Sequence, residues 1–168
     1  MAGQGFSLEK GHIVPLYTPI DEDTLAGAKS PVICLMGGYE HATIIVSIGQ
    51  LPRAAGVITV ESCADVTPTS VTQLMFRYYR FETSSKLANG DVHAAMQWTT
   101  TAAAGLIPVA TGAECFYVIE LDSEELIQGH VGFRLAIADA ANASVQSAIA
   151  VLSGPRYADA NKTAMAII

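Results

Sequence analysis

The chain has 168 residues, the size of one domain or of one domain with an arm. Apolar residues make up 51% and charged residues 15%, which excludes a disordered chain. With 9 basic against 16 acidic side chains the net charge is −7; no nucleic-acid groove is expected, and the longest apolar stretches are far shorter than the roughly 20 residues of a membrane helix, so no membrane partner is expected either.

The N-terminus, Met1 to Phe6, lacks the basic and apolar segments of a signal peptide, so synthesis in a reducing cytoplasm is expected. Gly3, Gly5, Gly11, Pro15, Pro19, Gly27 and Pro31 punctuate the first 30 residues, and Asp21-Glu22-Asp23 adds a charge run. Residues 1–30 therefore read as an extended N-terminal arm with one short strand, His12 to Tyr17. Its apolar anchors, Phe6, Ile13, Val14, Leu16, Tyr17 and Ile20, are expected to dock on an adjacent subunit or on a larger assembly that the protein joins.

From residue 31 to 168 the pattern is that of strands. Val32 to Met36, Thr43 to Ile48, Val57 to Cys63, Leu74 to Tyr79, Ala95 to Thr101, Cys115 to Leu121, Val131 to Ile137 and Val145 to Leu152 are apolar or alternating runs between turn residues. Val131, Phe133, Leu135 and Ile137 form the cleanest inward set. Ile58, Val60, Phe76, Ile119, Phe133, Leu135 and Val151 are the expected core. The fold class is all-β: an antiparallel β-sandwich, jelly-roll-like, with the extended N-terminal arm. Asp122 to Ile127 carries an N-cap candidate and early acids but stops at Gly129, so it reads as a single helical turn between strands. Asp139 to Ala143 is a second candidate turn.

Chemistry-bearing patterns are sparse. Cys34, Cys63 and Cys115 are widely spaced inside apolar runs and read as small buried hydrophobes. His12, His41, His93 and His130 have no metal-ligand spacing and read as loop or surface residues, so no metal and no cofactor is expected. No G-x-S-x-G, P-loop or G-x-G-x-x-G occurs. Glu61, Asp65, Glu120 and Asp122 lie at strand ends, where a glycosidase could hold a carboxylate pair. A single Trp, Trp98, gives little for a sugar cleft, and these acids read as solvated or paired with Arg77, Arg80 or Arg134. No enzymatic activity is expected. Arg77-Tyr78-Tyr79-Arg80-Phe81 is the densest patch of large side chains, with Arg77, Tyr79 and Phe81 on one face. Pro155-Arg156-Tyr157 is a second patch, and Arg and Tyr are residue types enriched at interfaces. The candidate interface residues are thus Ile13, Val14, Leu16, Tyr17, Arg77, Tyr79, Phe81, Arg156 and Tyr157.

Several stretches, in order, resemble a family of small structural proteins encoded beside the major capsid protein in tailed bacteriophages. They are Val57 to Ser62 with Asp65, Phe76-Arg77-Tyr78, Tyr117 to Asp122, Phe133-Arg134-Leu135, Ala150 to Tyr157 and Thr163-Ala164. The resemblance implies a virion component on the outer surface of the capsid, a decoration (cement) protein whose partners are the major capsid protein and copies of itself. It transfers no catalytic residues. A tail or head-tail connector protein is the nearest alternative, and a carbohydrate-binding or hydrolytic sandwich a more distant one.

Overall fold

The computed structural model describes residues 11–22, 32–49, 58–67, 70–82, 95–99, 115–137 and 144–155. Residues 1–10 and 23–30 of the arm, Asp139 to Ala143, His93, and the candidate interface residues Arg156 and Tyr157 lie outside them, as does the side chain of Cys115.

Among the described residues ten strands run in chain order: β1 (Gly11–Glu22), β2 (Ile33–Leu35), β3 (Tyr39–Ile48), β4 (Ile58–Cys63), β5 (Val71–Gln73), β6 (Arg77–Glu82), β7 (Gln97–Trp98), β8 (Cys115–Asp122), β9 (Gly132–Ile137) and β10 (Ser144–Pro155). They form a six-stranded sheet in the order β1-β10-β3-β8-β6-β7 and a four-stranded sheet in the order β2-β9-β4-β5. Every pairing is antiparallel, and the two sheets pack face to face. The pairs are nested: β1 with β10, β2 with β9, β3 with β8, β4 with β5. A long hairpin folded back on itself and rolled into two sheets has this order, which is the double Greek-key winding of a jelly roll. The β6–β7 hairpin is an addition on the outer side of β8.

Period-2 patterning fills the space between the sheets. β3 points Ala42, Ile44, Val46 and Ile48 inward, β8 points Tyr117, Ile119 and Leu121, and β10 points Ala148, Ala150 and Leu152. From the other sheet come Cys34, Ile58, Val60, Phe133 and Leu135. Ala148 and Ala150 of β10 are fully buried among these larger side chains. Cys34 and Cys63 are free and buried, as small apolar residues would be, and burial pushes the Cys34 thiol up to about 12.

Four expectations need correction. The arm is not separate from the sandwich, because Gly11–Glu22 is the edge strand β1, paired with the chain's own β10. Pro15 is tolerated there because an edge strand needs ladder bonds on one side only; the register slips between Pro15 and Tyr17 and again before Ile20. Leu74 to Tyr79 is not one strand: β5 belongs to the four-stranded sheet and β6 to the six-stranded one. Leu74 and Phe76 are buried at the crossing, where the Leu74 amide donates to the Val60 carbonyl and the Phe76 amide to Thr99 Oγ1. Val131 is exposed, since β9 begins one residue later and the Val131 backbone instead bonds Cys63 and Met36. Val151 faces outward, because Ala150 and Leu152 fix the inward parity of β10.

The expected single turn after β8 is present as a 3₁₀ turn, Ser123–Glu125. The Asp122 amide donates to Glu125 Oε2 at 2.8 Å, one half of a capping box.

Candidate functional site

The outward faces of the two sheets differ. On the four-stranded sheet, Ile33, Thr59, Glu61 and Cys63 lie on the side away from the core cluster, yet all are buried. Glu61 is held there by Arg134, with Nε donating to Oε2 at 2.5 Å. On the six-stranded sheet the outward side is open. Ile13 is 49% exposed, Phe116 39% and Ile149 38%, with Ile45, Val118 and Val151 half-buried between them.

Strand register assembles these residues into rows. One row crosses the sheet as Pro15, Ile149, Ile45, Val118 and Tyr79. The row on one side is Ile13, Val151, Thr43, Glu120, Arg77 and Trp98. The row on the other is Ser147, Ser47, Phe116 and Phe81. Alternation along each strand thus presents an apolar band, bordered at one end by charge.

That charged end is built around His41 on β3. Its Nδ1 lies 2.6 Å from Asp122 Oδ1 and its Nε2 lies 2.6 Å from Glu120 Oε2, both acceptors on β8. Thr43 donates to Glu120 Oε2 at 3.0 Å. Arg77 of β6 pairs with Asp122 and reaches Glu125 Oε2 at 3.5 Å. Its guanidinium carbon stands 5.6 Å from the Trp98 ring centroid, a cation–π contact. Burial disfavours the charged form of His41, but hydrogen bonds to Asp122 and Glu120 outweigh it and raise the pKa above its ordinary value. Asp122 is held below the usual carboxylate value by its bond to His41, against desolvation and with help from Arg77.

The expectation that the strand-end acids pair with basic neighbours holds for Glu61 with Arg134 and for Asp122 with Arg77. The reading of His41 as a loop or surface residue does not. It sits mid-sheet with both nitrogens engaged, and only its cross-strand register with Asp122 reveals this. Trp98 is exposed with Arg77 over its ring, while Glu120 and Asp122 are engaged by His41 and Arg77. Among the described residues no cluster of three or more His, Cys, Asp or Glu side chains is arranged to hold a metal ion.

The other candidate interface residues divide. Ile13 is exposed on the open face, and Arg77, Tyr79 and Phe81 lie half-buried on it. Val14 and Leu16 do not belong to an interface: both are buried in the chain's own core. Tyr17 is also turned inward, its hydroxyl donating to the Leu135 carbonyl, and burial pushes its pKa up to about 12. Sequence reasoning missed Ile45, Phe116, Val118 and Ile149. Their signal was the apolar character of both parities in β3, β8 and β10, which a one-sided strand would not need. No protein-family model, curated protein or solved structure matches the chain.

Proposed function

We propose that this protein is a structural component of a tailed-bacteriophage head, a decoration protein that binds outside the shell and bridges neighbouring major capsid subunits. The observation that carries the reading is the open apolar face on a jelly roll, bordered by His41, Arg77, Glu120 and Asp122, which pair with one another. Such a molecule is suited to contact other proteins. The family-like stretches support it by their placement. Tyr117 to Asp122 lies on β8, Phe133 to Leu135 on β9, Ala150 to Pro155 on β10, and Phe76 to Tyr78 enters β6.

Energetics favour the same role. A ligand that binds only the assembled shell shifts the equilibrium toward the intact particle by mass action. Each copy needs only weak contacts, because loss of the shell requires many bridges to fail together. The −7 charge disfavours contact with packaged DNA and fits an external position. The test compares heads with and without the protein under heat and osmotic shock and images its location by electron microscopy. Heads that lose DNA sooner without it support the proposal. Equal robustness, or a position on the tail, overturns it in favour of a tail component.

A further inference from the structure

We propose that His41 drives a proton-controlled exchange at the border of the open face: the charged ring holds Glu120, and on losing its proton to solvent it releases Glu120 to Arg77, which resets the contact between Arg77 and Trp98. The inference goes beyond the head-decoration reading and does not depend on it.

The supply of donors is the first argument. The ring lies between two carboxylates of one strand, with Nδ1 2.6 Å from Asp122 and Nε2 2.6 Å from Glu120. A charged imidazole donates to both. A neutral one has a single N–H, and its other nitrogen sets a lone pair against a carboxylate. Both contacts therefore survive only in the charged form. The charged groups around the ring are Glu120 and Asp122 of β8, Arg77 of β6 and Glu125 of the 3₁₀ turn. From the other side β10 places the uncharged Ser153 in register with it, and Glu40 of its own strand lies beside Gly154.

The second argument is which contact yields, and to what. Asp122 stays fixed, because Arg77 holds its Oδ2 and its backbone amide is tied to Glu125. Glu120 has a longer stem and keeps only the Thr43 hydroxyl, at 3.0 Å. It lies directly opposite Arg77 in the β6–β8 register. Arg77 Nε is buried and has no hydrogen-bond partner among the described residues, and a buried donor left unpaired is costly. The sheet thus sets an acceptor that His41 releases across from a donor that lacks one. Trp98 senses the exchange. The Arg77 guanidinium carbon stands 5.6 Å from its ring centroid, so turning Nε toward Glu120 alters the cation–π contact.

The test is a pH titration of the full chain, with circular dichroism to show that the fold is unchanged. Fluorescence reads Trp98, the only tryptophan of the chain, and the nitrogen NMR shifts of the ring read His41. Burial opposes the charged ring and its hydrogen bonds to Asp122 and Glu120 outweigh that, so the midpoint is expected above the ordinary 6.5. Below the midpoint both ring nitrogens are expected to carry protons, and above it Nδ1 alone. The Trp98 emission is expected to shift with the same midpoint. Glu120→Gln, which brings no charge to Arg77, is expected to abolish that shift while His41 still titrates. His93→Gln, at the histidine nearest Trp98 in sequence, is expected to leave the shift in place. Emission that stays constant while His41 titrates overturns the proposal. So does a shift that survives Glu120→Gln or disappears in His93→Gln, or a neutral His41 with its proton on Nε2. Should Glu120→Gln unfold, the two readouts on the unmutated chain decide.

Discussion

An imidazole ring carries two N–H donors only when protonated, and both nitrogens of His41 lie 2.6 Å from carboxylate oxygens. The folded protein therefore favours the imidazolium. Because the folded pKa of His41 is raised above its ordinary 6.5, its contribution to stability is complete below about pH 6.5 and is lost as pH rises through the folded value. Asp122 behaves oppositely: its contribution is present above its ordinary 3.8 and is lost as pH falls through its depressed folded value. The urea midpoint should decline on the alkaline side of about pH 6.5, and His41→Gln should remove most of that decline. A variant with the wild-type profile would show that the pairing is not coupled to folding. Gly132 gives a second prediction at this scale. A Cβ there would lie 2.2 Å from the Cys34 carbonyl oxygen, so β2 would have to move. Gly132→Ala should cost about 1–3 kcal/mol by urea denaturation.

The first strand is where element-level reading of the sequence and the structure part most clearly. Glycine and proline punctuation suggested a loose arm, but β10 offers a free edge, and Val14 and Leu16 supply the inward residues that close the core over it. Leu16→Ala should cost about 2–5 kcal/mol, measured by chemical denaturation. Removing residues 1–22 should strip a strand from the sheet and lower the melting temperature steeply. Removing residues 1–10 leaves β1 in place and should not. Equal melting of both truncations would mean that β1 adds nothing to the sandwich. The edge also explains why β1 is a poor site for strand addition by a partner: Pro15 has no amide to donate, and the register slips on either side of Tyr17 interrupt the ladder.

For the whole molecule, nested pairing makes the fold depend on contacts between distant parts of the chain: Gly11 meets Ser153, and Ile33 meets Arg134. Loops of that length must close before the sheets can reward closure, so folding should be slow for the size of the domain. Stopped-flow refolding should show relaxation over milliseconds to seconds or longer, and microsecond folding would contradict the winding. The two outward faces also acquire their roles only at this scale. One is buried and carries the Arg134–Glu61 pair, while the other leaves Ile13, Phe116 and Ile149 exposed.

Alternation along single strands was legible in the sequence, and with it the all-β class, part of the core and the turn after β8, because a period of two is a local property of the backbone. Ile58, Val60, Ile119, Phe133 and Leu135 are buried for that reason, whereas Phe76 is buried at the crossing between the sheets. Which strand lies beside which is not local. Glu120, Asp122, Arg77 and His41 come from three strands, and nothing in their spacing places them together. Register across β3, β8 and β6 does so, and it likewise aligns Ile45, Val118 and Ile149 into one band. The parity of Val151 and the capture of β1 by β10 were decided in the same way. A side chain's face follows from its own strand, but its neighbours, and whether its face is covered, are set by pairings that only the folded chain makes.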